Sequence, residues 1–145
     1  MKTNMKTKAN KKHITRDYDG NENGYLVPVW NIHDKFAEHE PQQVYLSVVT
    51  PGHIKGPHLH NIRHGYFTCI KGNIRVILKT ENGYETCFSG EDHDYTSVIV
   101  PAGTPAVVQC LGDTEALILN MPSPAWTPDM NDEHTADFSD FDYTL

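Results

Sequence analysis

Residues 52–64 read Gly52-His53-Ile54-Lys55-Gly56-Pro57-His58-Leu59-His60-Asn61-Ile62-Arg63-His64. Four of the chain's nine histidines fall within the last twelve of these positions. A His-x-His pair on a β-strand puts both imidazoles on one face of a sheet, because successive side chains alternate. Imidazole is suited to proton transfer near pH 7 and is also the commonest metal ligand. The residues on either side discriminate between those uses.

Downstream and upstream of the histidines the chain reads as consecutive short strands. The stretches 25–32, 43–50, 65–71, 73–80, 84–89, 97–101, 106–111 and 116–121 are rich in Val, Ile, Tyr, Phe or Thr, and Gly, Pro, Asn or Asp bound them. Ile74, Val76 and Leu78 alternate with Arg75, Ile77 and Lys79, the period of a half-buried strand. Lys71-Gly72-Asn73 and Glu81-Asn82-Gly83 read as hairpin turns. No long stretch carries a helical period. Many short strands with frequent turns point to an all-β fold, a jelly-roll barrel of two antiparallel sheets.

Length and charge narrow the function. The 145 residues suit one domain with a real core. We divide them into a basic, flexible arm (1–20), a central domain (21–128) and an acidic tail (129–145). The tail's Phe138, Phe141 and Tyr143 suit docking on the body or on a second subunit, whereas its carboxylates suit a solvated end. Both options stay open. A net charge of −7 argues against a nucleic-acid partner. No apolar run is long enough to cross a bilayer, and the basic start has no apolar stretch behind it, so neither a membrane span nor a secretory signal is expected. Three cysteines without paired spacing fit a reducing, cytoplasmic setting.

The order strand, Gly-x5-His-x-His, strand, Lys-Gly-Asn turn, strand, then Val100-Pro101-Ala102-Gly103-Thr104-Pro105, resembles a cupin over roughly residues 43–121. Gly52, His58, His60 and Gly72 fit the first cupin motif, and Pro101 and Gly103 the Pro-x-Gly turn of the second. Metal-binding cupins supply two histidines and a glutamate from the first motif and a histidine from the second. Those last two positions fall here on Gly65 and Ala106. Because a transition-metal site needs at least three well-placed protein ligands, the resemblance is to the metal-free branch, and no cofactor is expected.

That branch comprises nucleotide-sugar epimerases and ketoisomerases. Ile54-Lys55-Gly56-Pro57-His58-Leu59-His60 resembles the Arg-Gly-Leu-His segment of dTDP-4-dehydrorhamnose 3,5-epimerases, with Lys55 in the arginine place. It is closer still to the Arg-Gly-x-His-x-His segment of dTDP-4-keto-6-deoxyglucose 3,4-ketoisomerases, which also carry an upstream tyrosine matched by Tyr45 in Val44-Tyr45-Leu46. The resemblance implies catalytic roles for His58, His60 and Tyr45, a nucleotide-sugar substrate, in the first instance dTDP-linked, and a homodimer in which 25–32 is exchanged. The epimerases' second acid, a tyrosine on a late strand, falls here near Ile118.

A C–H beside a ketone is acidic because the carbanion delocalises as an enolate. A base removes the proton, and a donor steadies the oxygen. We expect His58 to be the base, His60 a second proton carrier, and Tyr45 a donor to the sugar. Lys55 and Arg63 are the expected counter-charges for a diphosphate, with Arg75 a weaker candidate. His64 is a pocket or rim residue, and Tyr66 a spare phenol. Epimerisation of a nucleotide-linked 4-keto-6-deoxy sugar is the leading expectation and 3,4-ketoisomerisation its alternative. A sugar-binding cupin without turnover and a metal-dependent cupin are the other classes. His58→Ala is expected to keep the fold and hold ligand affinity within about tenfold while turnover falls by ~100-fold or more, measured as product formed and ligand bound.

Overall fold

The computed structural model describes residues 5–145. Residues 1–4, the start of the expected basic arm, lie outside the described residues. Twelve strands follow in chain order: β1 (Lys6–Lys8), β2 (His13–Arg16), β3 (Glu22–Leu26), β4 (Tyr45–Val49), β5 (Ile54–His60), β6 (Gly65–Lys71), β7 (Asn73–Thr80), β8 (Gly83–Gly90), β9 (Ser97–Val100), β10 (Ala106–Leu111), β11 (Ala116–Asn120) and β12 (Glu133–Thr135). Two five-stranded sheets, β1-β9-β6-β11-β4 and β12-β5-β10-β7-β8, make a sandwich, and β2 and β3 form a separate ribbon. The paired strands are antiparallel. The expected two-sheet jelly roll is the observed fold, although the sheets do not close into a barrel. Among the described residues no helix is long and apolar enough to cross a membrane.

The core lies between the sheets. The inward set includes Val49, Cys69, Ile74, Val76, Leu78, Val98 and Ile118. Full burial of each such aliphatic side chain stabilises the fold by about 1.5–3 kcal/mol. Glu81-Asn82-Gly83 makes the hairpin its residues announce, with Thr80 opposite Gly83. Lys71-Gly72-Asn73 does not. β6 and β7 belong to different sheets, so Gly72 carries the chain across the sandwich. Its φ is +71°, and a Cβ there would meet the carbonyl oxygen of Glu115 at 2.8 Å. The expected strand at 25–32 stops at Leu26. Pro28 has no N–H to donate to a ladder.

Strands from both termini fall outside the expected central domain. β1 adds to the edge of the first sheet against β9. Behind it Asn10 is buried and donates to Tyr95 O and Ser97 Oγ, both at 2.7 Å. β12 adds to the edge of the second sheet against β5. The aromatic tail docks on its own body: Phe138 is 4% exposed and packs with Ile77 and Val107 on the outer face of the second sheet, joined by Tyr84, Phe141 and Tyr143. β7 is therefore buried on both faces rather than half-buried. Phe138→Ala is expected to lower the free energy of unfolding by about 3 kcal/mol, read as a shifted urea midpoint.

Candidate active site

β5 carries the histidine segment along the edge of a cavity between the two sheets. In its pairing with β10, His58 stands opposite Ala106 and Lys55 opposite Val108, so β5 contains one residue more than its partner. This bulge reverses parity. Lys55 and His58, an odd number of residues apart, both line the cavity with His60. Gly56 makes the bulge possible. Its φ is +97°, and a Cβ there would lie 2.9 Å from the carbonyl oxygen of Ala106. The cavity has a volume of about 390 Å³. Tyr45 and Ser47 enter it from β4, Asn120 and Ile118 from β11, and Phe67 and Val108 supply apolar wall.

A buried carboxylate organises one end of this cavity. Asp132, just before β12, is 2% exposed. Its Oδ2 lies 2.8 Å from His60 Nδ1 and accepts from Arg63 Nε at 2.7 Å. Its Oδ1 accepts the backbone N–H groups of Ile62 and Arg63 at 2.6 and 3.1 Å. Burial pushes the Asp132 pKa up, but hydrogen bonds from Arg63, His60 and the two amides outweigh it and hold the carboxyl well below its usual range. The ionised Asp132 at 2.8 Å, closer than the Arg63 Nη2 at 3.2 Å from the same nitrogen, favours the His60 proton on Nδ1. The lone pair is then on Nε2, the nitrogen left for a ligand.

Three other groups are set by hydrogen bonding. Glu133 Oε1 lies 3.2 Å from His58 Nδ1 and 3.9 Å from His60 Nε2. Asn120 accepts the Tyr66 N–H through Oδ1 at 3.1 Å, which orients its amide to donate from Nδ2 to the Tyr45 hydroxyl oxygen at 2.6 Å. Tyr45 therefore keeps its own hydroxyl proton to give. Lys55 Nζ donates to Ser47 Oγ at 2.9 Å, bridging β5 and β4. Burial pushes the thiols of Cys69 and Cys87 up to about 12, so neither is a nucleophile at neutral pH.

The structure brings together Tyr45, Lys55, His58, His60 and Arg63, although the Arg63 guanidinium is committed to Asp132. It does not bring Arg75 or Tyr66 to them. Arg75 lies on the outer face of the second sheet, donating to Gln109 Oε1 and to Tyr143 O, both at 2.9 Å, with its guanidinium 5.3 Å from the Phe141 ring centroid. The docked tail takes up its charge. Tyr66 is 3% exposed and donates to Val29 O at 2.7 Å. It borders a separate cavity of about 320 Å³, where His64 also lies. His64 Nδ1 accepts the Ala102 N–H at 3.1 Å, and its ring stacks on His39 at 3.9 Å. Burial, and then His39, lower its pKa, against a smaller opposing pull from Glu38. Its other edge faces a small cleft shared with Tyr45 and His60. Sequence reasoning missed Asp132, Glu133, Asn120 and Ser47 as members of the site.

The residues present do not fit a cupin metal. Ala106, which stands at the expected histidine position, is the cross-strand neighbour of His58 and has no side-chain donor atom to offer an ion. Among the described residues no group of three or more His, Cys, Asp or Glu side chains is arranged to hold an ion.

The sequence matches the family described as FdtA: WxcM-like, C-terminal, over residues 7–143. No curated protein matches it. Among solved structures, the dTDP sugar isomerase of Desulfovibrio desulfuricans superposes with a TM-score of 0.72 at 17% identity, over 90% of this chain and 83% of that one. A 3,4-ketoisomerase from Helicobacter canadensis gives 0.70 at 14% identity, over 96% and 95%. The rmlC epimerase of Mycobacterium tuberculosis gives 0.69 at 21% identity over 89% of this chain, which spans 66% of that enzyme's length. The likeness to all three is one of fold.

Because the folded pKa of Asp132 lies below its ordinary value of 3.8, the stability it contributes is present above that value and is lost as pH falls through the folded pKa. Asp132→Asn is expected to lower stability at neutral pH by about 3 kcal/mol. The deficit should shrink below about pH 4, as urea titrations at the two pH values would show.

Proposed function

The chain belongs to the FdtA, WxcM-like C-terminal family, and on that footing we propose that it is a 3,4-ketoisomerase acting on a nucleotide-linked 4-keto-6-deoxy sugar. The observation that carries this reading is the pair of imidazoles on one face of β5, one of them backed by a buried, ionised carboxylate. His60 Nε2 removes the proton from the carbon beside the ketone. The sequence alone favours His58 as the base; the Asp132 carboxylate behind His60 supports that role for His60 instead, because it steadies the imidazolium that forms.

His58 then serves the oxygens. Keto transfer moves a carbon-bound proton from one carbon to the next and an oxygen-bound proton the opposite way. Two neighbouring acid–base groups on one side of the ring match that requirement. The Lys55 ammonium has donors beyond the one it gives Ser47, and it serves the diphosphate or the developing enolate oxygen. The near-complete mutual coverage with the Helicobacter ketoisomerase supports the same reading, as does Ile118 in the cavity wall where epimerases are expected to carry a tyrosine.

Epimerisation is the second reading, favoured by Tyr45. That residue sits on the sheet facing β5, and its hydroxyl proton is not taken by Asn120. Proton return from that side would invert the carbon instead of moving the ketone. The protein acts in this reading as a cytoplasmic homodimer. The outward Val44 and Leu46, each 60% exposed, and the exposed β2–β3 ribbon support a covering subunit. Incubation with dTDP-4-keto-6-deoxyglucose in heavy water, read by NMR, is expected to give the 3-keto isomer carrying deuterium at C4. A 4-keto product with an inverted, deuterated centre would establish the second reading, and the absence of both conversion and deuterium incorporation would overturn both.

A further inference from the structure

β4 lends two hydroxyls to the cavity, and each already accepts a hydrogen bond from a neighbour. Asn120 stands opposite Tyr45 in the pairing of β11 with β4. Its side chain is buried, and its Oδ1 takes the Tyr66 N–H at 3.1 Å. A backbone N–H can only donate, so the amide cannot be turned over. Nδ2 is thereby held against the Tyr45 hydroxyl oxygen at 2.6 Å. Ser47, on the same strand, receives the Lys55 ammonium on its Oγ at 2.9 Å. Both hydroxyl protons are left for whatever lies in the cavity, which Tyr45, Ser47, Lys55 and Asn120 all line. Of the two, the Tyr45 bond is the one that a change of a single neighbouring atom reverses, because an aspartate has the shape of Asn120 and no N–H.

We infer that Asn120 is a specificity-determining residue: by making the Tyr45 hydroxyl a donor, it matches this wall of the cavity to a carbonyl oxygen on the sugar. The inference rests on the reading of the cavity as a keto-sugar site and deepens it, since it names the group that recognises the ketone. A carbonyl oxygen only accepts, whereas a sugar hydroxyl gives or accepts as it rotates. A donor on the protein serves either one. An acceptor serves the hydroxyl alone and sets the ketone oxygen against another lone pair, out of reach of bulk water, a mismatch that costs more than a lost apolar contact. Asn120→Asp supplies that acceptor. Its carboxylate takes the Tyr66 N–H on one oxygen and the Tyr45 O–H on the other, so the phenol proton turns away from the sugar. Protonating the carboxylate turns the bond around again, because a neutral carboxylic acid has an O–H to give. Burial favours that neutral form.

Calorimetric titration reads this preference without relying on turnover. The ligands are dTDP-4-keto-6-deoxyglucose and its 4-hydroxy counterpart, and a His58→Ala background keeps the first from being consumed. At about pH 8, adding Asn120→Asp is expected to weaken the keto ligand by about 30-fold while the hydroxy ligand stays within about threefold of the parent. At about pH 5 the keto affinity should return to within about fivefold of the parent's at the same pH, as the protonated acid becomes a donor. Tyr45→Phe removes the hydroxyl and leaves Asn120 in place. It should weaken the keto ligand by about tenfold, and it reads the same contact if the aspartate variant does not fold. Equal losses for the two ligands in Asn120→Asp, or undiminished keto binding in either variant, would overturn the inference. A native protein that binds the keto ligand through this contact and never converts it sinks the catalytic reading and leaves the assignment of Asn120 standing.

Discussion

The site depends on a single buried carboxylate. Asp132 takes hydrogen bonds from a guanidinium and two backbone amides and contacts an imidazole, and every one of these partners lies within His60–Arg63. A charge so deep in the protein would be costly if any partner were removed. Its presence therefore fixes three things together: the path of the chain after β5, the rotation of the His60 ring, and the docking of the segment that contains Asp132. The Asn61 N–H, donated to the backbone oxygen of Asp132 at 2.9 Å, closes the same junction from the main chain.

The fold and one half of the site were legible in the sequence. Ile74, Val76 and Leu78 alternate because the sandwich has an inside, and that constraint is local. The His58–His60 spacing is legible for the same reason, since a strand puts alternate residues on one face. Asp132 was not legible, because it lies 72 positions from His60 among other acids, and nothing in its neighbours distinguishes a buried carboxylate from a solvated one. Arg75 was misplaced by the converse difficulty. Alternation tells which side of β7 it occupies, but not that the tail covers that side. Lys55 has the wrong parity for the site by simple counting, and it enters only because Gly56 and Pro57 add a residue to β5.

The tail ties these observations together. Its aromatic residues cover Ile77 and Val107, its backbone accepts from Arg75 and Lys79, and its first strand continues the sheet beside the histidines. Apolar cover on one face and the carboxylates that meet His58 and His60 at the adjoining edge come from one continuous stretch of chain. The packing of Phe138 and the orientation of His60 are consequently parts of one cooperative arrangement rather than separate features.

Synthesis on the ribosome runs from the amino end, so both imidazoles leave the exit tunnel about seventy residues before their acids. Until β12 emerges and pairs, no carboxylate holds the His60 ring. A translation product cut short after β11 would contain most of the sandwich and still lack the buried carboxylate that organises the cavity beside the histidines.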